Sequence, residues 1–300
     1  MSNDDVASHY NKSAANYHLQ YKEEMLMDLD RYYPANYFRL KHLKKSFSEQ
    51  GIQNVIEVGV GEGTPLTELG KLGMKVSGFD ISSEMVLASR ANMKNAGFDS
   101  ERIILADIQN SESYNAILKF GPFDGLLAMG VMPHVKDDIR VLQNMKGLVK
   151  PGGTVFIEFR NKLFSLFTFN RNTLEFIMDD LLVDVSPTLK NSVKLNLERR
   201  LEMTEPKLRE RHHEDQSVPG YDSILSKFHN PFEVIDLFKE QGFTDAKLVW
   251  YHYHPAMPFL ENENKKLFRE ESFKLEADTS SWRGLFLCSA FVIEATAGLR

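Results

Sequence analysis

The sequence predicts an α/β protein built on a doubly wound, mixed sheet. Three observations predict it. Short apolar runs alternate with helical patterns from Asn54 to Phe159, a glycine-rich turn follows the first run, and acids stand at the ends of the next two. Strands alternating with helices imply right-handed crossovers and a parallel sheet covered on both faces. With 300 residues, 42% of them hydrophobic, the chain can bury such a sheet together with its helices.

Residues 1–50 are polar and rich in tyrosine, and read as a helical lead-in that forms an N-terminal cap. Its last stretch, "YFRLKHLKKSFSEQG", spaces apolar residues near the helical period and stops at Gly51. Residues 51–160 form the core, with strands expected at 54–58, 75–79, 102–106, 123–129 and 154–159. Helices are expected between them at 64–72, 83–97, 112–118 and 137–148. "KPGG" at 150–153 reads as a turn before the fifth strand. Residues 161–230 break the rhythm with an aromatic helical stretch and then a charged stretch of no clear period, and read as an inserted cap subdomain. In 231–300 the sheet resumes: a helix at 231–241 ended by Gly242, a strand near 245–252, and a last strand at 286–294 placed to insert antiparallel, seventh in the sheet.

Composition narrows the function. A net charge of −6 gives no basic footprint for nucleic acid, so no nucleic-acid partner is expected. Cys288 is the only cysteine, which excludes an intramolecular disulfide and a cysteine-based metal site; its flanks, "LFLCSAFVIE", suggest a buried strand thiol. The N-terminus lacks the basic and apolar regions of a signal peptide, and no apolar run approaches the roughly 18 residues needed to span a bilayer. A cytoplasmic protein without a membrane partner is the expectation.

The stretch "VIEVGVGEGT" carries the chemistry. Strand, glycine turn and helix N-terminus together offer free backbone N–H groups to a ligand. The glycines at 59, 61 and 63 are spaced two apart, which departs from the dinucleotide fingerprint, and no Gly-Lys-Ser/Thr follows to make a P-loop. Glu57, just before the turn, repels phosphate and suits an ammonium group. Asp80 ends the second strand where doubly wound sheets place an acid for ribose hydroxyls, and Asp107 ends the third.

With these residues in view, the sequence resembles the class I S-adenosylmethionine-dependent methyltransferases. The resemblance rests on E-x-G-x-G-x-G at 57–63, "GFDIS" at 78–82, "ADI" at 106–108, "PFDGLLAMGVMPHV" at 122–135 and "LVKPGGTVFIEF" at 148–159. It implies a Rossmann-like fold and S-adenosyl-L-methionine as cofactor. It further implies that Gly59, Gly61 and Gly63 approach the methionine part, Glu57 meets its positive charge, Asp80 with Ile81 holds the ribose, and Asp107 with Ile108 holds adenine. Met85 and Met129 become cofactor neighbours, and Tyr10 and Tyr17 resemble a lead-in helix that folds over the cofactor. Plainer readings stand beside these: Asp80 as a helix cap, Asp107 as a solvated loop acid, Met85 as core, and the lead-in as an ordinary amphipathic helix.

Methyl transfer from a sulfonium is an in-line displacement that depends on holding the acceptor atom near the methyl. An aliphatic hydroxyl also needs a base, and His134, just after the fourth strand, is the candidate, its alternative being a structural loop histidine. The chain lacks the D/N-P-P-Y/F tetrapeptide of amino-methylating DNA enzymes and any Pro-Cys nucleophile. His252 and His254, two apart, would share a strand face and could bind a metal with Glu214 or Asp215; solvated histidines are the commoner case, and no metal is expected. Phe164, Phe167, Phe169 and Phe176 are either a subdomain core or a wall of the acceptor pocket. The leading reading is methylation of oxygen or nitrogen of a small molecule, such as a sugar, nucleotide-linked sugar or natural-product intermediate. The alternatives are a protein or RNA methyltransferase on the same fold, a nicotinamide-dependent oxidoreductase, disfavoured by the glycine spacing and Glu57, and a non-catalytic binding module. A homodimer is compatible with all of these features.

Overall fold

The computed structural model describes residues 3–13 and 20–298; Tyr17 lies outside the described residues. Seven strands form one sheet: β1 (Asn54–Val58), β2 (Lys75–Asp80), β3 (Ile103–Leu105), β4 (Phe123–Ala128), β5 (Val149–Arg160), β6 (Phe243–Tyr253) and β7 (Cys288–Ala297). Their spatial order is β3-β2-β1-β4-β5-β7-β6. The first five are parallel, and β7 inserts antiparallel between β5 and β6. The order reverses between β1 and β4, which opens a crevice beyond their carboxyl ends, the place where open α/β sheets bind ligands.

Alternation along the strands divides the core into two layers, because successive side chains point to opposite faces. Ile56 and Val58 join a cluster with Val141, Leu142 and Met145 of α5 (Asp138–Leu148) and with Val234 and Phe238 of α8 (Pro231–Glu240). Val55 and Phe156 face the other way. They meet Leu43 and Phe47 of α2 (Ala35–Glu49), Leu66 and Leu69 of α3 (Thr64–Lys71), and Val86 and Met93 of α4 (Ser83–Asn95). Three of these helices start at a sequence signal. Pro65 occupies the first turn of α3, the Ser82 hydroxyl accepts from Met85 N at 3.1 Å before α4, and Asp137 accepts from Arg140 N at 3.0 Å before α5.

Three expectations of local structure are corrected. Residues 112–118 hold no α-helix; a 3-10 turn, Asn115–Phe120, crosses from β3 to β4, because the short segment runs straight into Gly121-Pro122. "KPGG" lies inside β5, which begins at Val149 and passes Gly152 at φ +79 while its register against β4 shifts between Phe123 and Gly125. The pairing advances from Phe123 to Gly125 on β4 but from Val149 to Thr154 on β5, an irregularity in which Gly152 takes the left-handed conformation that glycine tolerates. β7 begins at Cys288 after one helical turn, α10 (Gly284–Leu287).

Outside the sheet, α1 (Asn3–Ser13) packs on α4. Arg269 of α9 (Lys265–Leu275) holds down the chain that leads to α2 by donating to the carbonyls of Leu26, Asp28 and Arg31. Residues 161–230 contain α6 (Arg171–Phe176) and α7 (Pro187–Leu197), which buries no residue, and then irregular chain that returns to the sheet at His229 and α8. Of Phe164, Phe167, Phe169 and Phe176, Phe164 and Phe176 are buried and Phe169 is exposed.

Candidate functional site

The crevice at the ends of β1, β2 and β4 is a cavity whose walls include Glu57, Gly59, Gly61, Asp80, Ile81, Met85, Asp107, Ile108, Met129 and His134, with Tyr10 from α1. The glycine turn is stitched to β2, since Gly59 N and Val60 N both donate to Phe79 O, at 2.9 and 3.0 Å. Gly59 has φ +71, and a Cβ there would lie 2.5 Å from Val131 Cγ2. Gly61 has φ +53 and only open space where its Cβ would be, so the cavity meets bare backbone there. Gly63 differs from the expectation. Its φ is +87, and its Cβ would lie 2.5 Å from Ser89 Oγ, so it stands against α4 at the start of α3 and off the cavity wall.

The acids are held in distinct ways. Glu57 is buried and its Oε2 has no hydrogen-bond partner among the described residues. Burial raises its pKa well above the usual carboxylate range, with Glu62 and Asp80 adding to the rise against the pull of Arg39. Asp80 is buried at the end of β2, its Oδ2 accepting from Gly61 N at 2.8 Å and its Oδ1 from Ser82 N at 2.9 Å. Ser82, not Asp80, caps α4. Burial raises the Asp80 pKa, partly offset by those amide donors. Asp107 Oδ1 accepts from Gln109 N at 2.9 Å, and Ile108 is fixed by Asn144 Nδ2 donating to its carbonyl at 2.7 Å.

His134 sits in a 3-10 turn after β4, buried between two distant parts of the chain. Its Nδ1 lies 2.6 Å from Leu225 O, which can only accept, so the proton is on Nδ1 and the lone pair is on Nε2. Nε2 in turn lies 2.9 Å from Tyr10 Oη, which donates to it. Burial, with Arg160 nearby, lowers the His134 pKa to about 4 against the pull of the Leu225 carbonyl. Further contacts bind α1 to the 209–225 segment: His9 Nδ1 donates to Pro219 O at 3.0 Å, and Lys12 pairs with Asp215 at 3.1 Å. The helix lines the crevice through Val6 and Tyr10, and the segment is tied to the outer side of that helix.

A family model for a methyltransferase domain matches residues 56–157. The chain is 29% identical over 203 residues to the ubiquinone biosynthesis O-methyltransferase of Sodalis glossinidius, an alignment covering 68% of this chain and 65% of that enzyme. The enzyme of the same name from Vibrio parahaemolyticus is 24% identical over 217 residues, 72% of each chain. These similarities support a class I S-adenosylmethionine-dependent methyltransferase, with the family match confined to residues 56–157. A Thermotoga maritima S-adenosylmethionine-dependent methyltransferase, described as a possible histamine N-methyltransferase, shares its fold at a TM-score of 0.51, covering 96% of this chain and 98% of that one at 15% identity.

The cofactor of this methyltransferase is S-adenosylmethionine. Its cavity suits a nucleoside that carries positive charge, because an unpartnered carboxylate oxygen, a glycine with open space and two strand-end acids meet there. Sequence reasoning missed a buried network beside the cavity. Arg39 of α2 pairs with Glu158 of β5 and donates to Tyr21 Oη at 3.0 Å, while Tyr251 Oη donates to Glu158 at 2.5 Å. The Arg39–Glu158 and Tyr251–Glu158 bonds join residues 119 and 93 positions apart, and neither partner carries a local signal. The histidines weighed as possible metal ligands are not gathered with Glu214 or Asp215. Asp215 is spent on Lys12 and Ser217, and among the described residues no group of three or more His, Cys, Asp or Glu is placed to hold a metal. Cys288 is fully buried, and burial pushes its thiol pKa well up, which leaves it inert.

Proposed function

We propose that the protein moves a methyl group from S-adenosylmethionine to a hydroxyl oxygen of a small molecule, with the acceptor bound between the strand ends and the 161–230 cap. The observation that carries this reading is the His134 imidazole, its proton on Nδ1 and its lone pair on Nε2, placed on the cavity wall one short turn beyond Met129. Bound in the cavity, the cofactor supplies a methyl on a sulfonium, open to in-line attack. Glu57 would take the ammonium, Asp80 the ribose hydroxyls, and Asp107 with Ile108 the adenine edge. Nε2 of His134 would orient the acceptor hydroxyl in place of Tyr10 and accept its proton. The position of α1 on the crevice, held there by the 209–225 segment, supports a small acceptor over a protein or RNA strand.

The named relatives are O-methyltransferases, which supports oxygen over nitrogen; a sugar, a nucleotide-linked sugar and a natural-product intermediate remain the acceptor classes proposed. Calorimetric titration with S-adenosylhomocysteine is the first test. Saturable binding that is lost in Asp80→Ala and in Gly61→Val is expected, and folded protein that binds neither S-adenosylhomocysteine nor S-adenosylmethionine would overturn the proposal. Methyl transfer from labelled cofactor to a panel of hydroxylated and amino compounds then decides the atom.

A further inference from the structure

The carboxyl end of β6 opens into a second cavity, of about 140 Å³. Tyr33, His252, Tyr253, His254, Phe268 and Ser272 line it. An apolar cavity of about this size takes up one benzene-sized molecule. The wall is largely aromatic: Tyr33 stacks on His252 at 5.7 Å and 11°, and His254 lies 4.8 Å from His252 and 4.7 Å from Phe164. Tyr33 is fixed in place because its Oη donates to Glu276 Oε1 at 3.2 Å.

Among the lining side chains of this cavity, His254 is the one whose buried polar atoms lack partners among the described residues. Both ring nitrogens of His254 are buried and without a hydrogen bond among the described residues. A neutral imidazole carries one donor and one acceptor, and leaving both unmade in the interior is costly. Burial keeps His254 neutral by holding its pKa well below 6.5. His252 holds φ +61, a left-handed conformation that its β-carbon disfavours, while Ser289 Oγ lies 2.7 Å from its Nδ1. Charge at the walls opposes an ion of either sign: Glu261 faces an anion, and Arg269, its terminal nitrogens spent on backbone carbonyls, faces a cation.

We propose that this cavity binds one small, uncharged aromatic ring bearing a hydroxyl group, the ring packed among Tyr33, His252 and Phe268 and the hydroxyl exchanging hydrogen bonds with His254. A hydroxyl both donates and accepts, so it satisfies either tautomer. β5 and β7 separate β6 from β4. At about 4.8 Å per strand, the ring lies far outside the near-attack distance of about 3–3.5 Å from a methyl held in the first crevice. The site is therefore distinct from the place of methyl transfer. It serves either the far end of an extended acceptor or a free aromatic molecule.

Calorimetry on the full chain with phenol tests the proposal, run with and without saturating S-adenosylhomocysteine. One saturable phenol site is expected in both conditions. Binding should weaken at least tenfold in His254→Leu and in Ser272→Phe, which fills the cavity, with S-adenosylhomocysteine affinity unchanged. Benzoate and anilinium should bind at least tenfold more weakly than phenol. Phenol binding that persists in a folded His254→Leu protein, or no saturable binding by the wild type, overturns the proposal. Cofactor affinity is read in the same titrations, so failure of this site and failure of the methyltransferase reading are separable. Competition between phenol and a methyl acceptor would assign the site to the acceptor's far end, and independent binding to a free molecule; either upholds the ring site.

Discussion

Tyr10 Oη and His134 Nε2 are 2.9 Å apart although 124 positions separate the residues in sequence, and through that bond the N-terminal helix closes on the strand-end crevice. The bond also fixes what His134 can do. With Nδ1 committed to Leu225 and a pKa of about 4, the ring is neutral, and Nε2 acts as an acceptor.

Replacing His134 by Ala should lower kcat by about 10²–10⁴-fold if Nε2 takes the acceptor proton, the range for a lost general base. Cofactor affinity should change little. Because the folded pKa of about 4 lies below the ordinary histidine value of 6.5, the neutral form persists to low pH, so kcat should show no ionisation near 6.5. The same depression favours the fold above pH 6.5, and that contribution is lost as pH falls from 6.5 toward 4. A pH–rate profile with a limb near 6.5 would contradict this, and a lowered Tm with unchanged kcat would leave His134 a structural residue only.

Glu57→Gln should weaken S-adenosylmethionine binding by about 10–100-fold, the scale of a lost hydrogen bond to a charged group at about 1.5–3 kcal/mol. The protein without cofactor should gain stability at high pH, where Gln cannot take on the buried charge that the carboxyl would. Burial holds the Glu57 carboxyl protonated well above the usual range, so cofactor affinity of the wild type should rise with pH as that proton is released. Calorimetry across pH, with the Gln variant as a flat control, checks both points.

Gly61→Ala and Gly63→Ala should separate binding from folding. At Gly61 a Cβ meets nothing within 4 Å at φ +53, so the cost to stability is about 1 kcal/mol while the methyl intrudes on the cofactor. At Gly63 a Cβ meets Ser89 at φ +87, costing about 2–4 kcal/mol for strain and overpacking together. Thermal melts and cofactor titration of the two variants should therefore rank in opposite orders.

Glu276 is buried, and burial raises its pKa to about 7, against the donors Tyr253 N and Tyr33 Oη. A carboxyl whose folded pKa lies above its unfolded value stabilises the fold only while protonated. Its contribution is complete below about pH 4.5 and declines as pH rises toward 7, by up to a few kcal/mol. Glu276→Gln should flatten the fall of Tm between pH 5 and 8 and raise Tm at pH 8.

Much of the fold was legible because its signals are local. Short apolar runs marked β1, β4 and β5, and Gly51 and Gly242 marked helix ends, both now at positive φ. Residues 112–118 misled because an apolar spacing of seven residues is too short to separate a 3-10 turn from an α-helix. Residues 161–230 gave no period because helices such as α7 bury nothing and so need no apolar face.

The sequence by itself determined the parallel sheet, the turn at Gly59 and Gly61, and the acids Glu57, Asp80 and Asp107 at the strand ends, since spacing within one strand–turn–helix unit dictates where they stand. Only the tertiary structure decided that Gly63 serves the packing of α4, that Tyr10 meets His134, that Arg39 is spent on Glu158, and that His254 is left with two unpartnered nitrogens. The physical reason is burial. Whether a polar group is desolvated, and what it then finds within 3 Å, depends on elements far away in sequence, and no local pattern encodes that meeting.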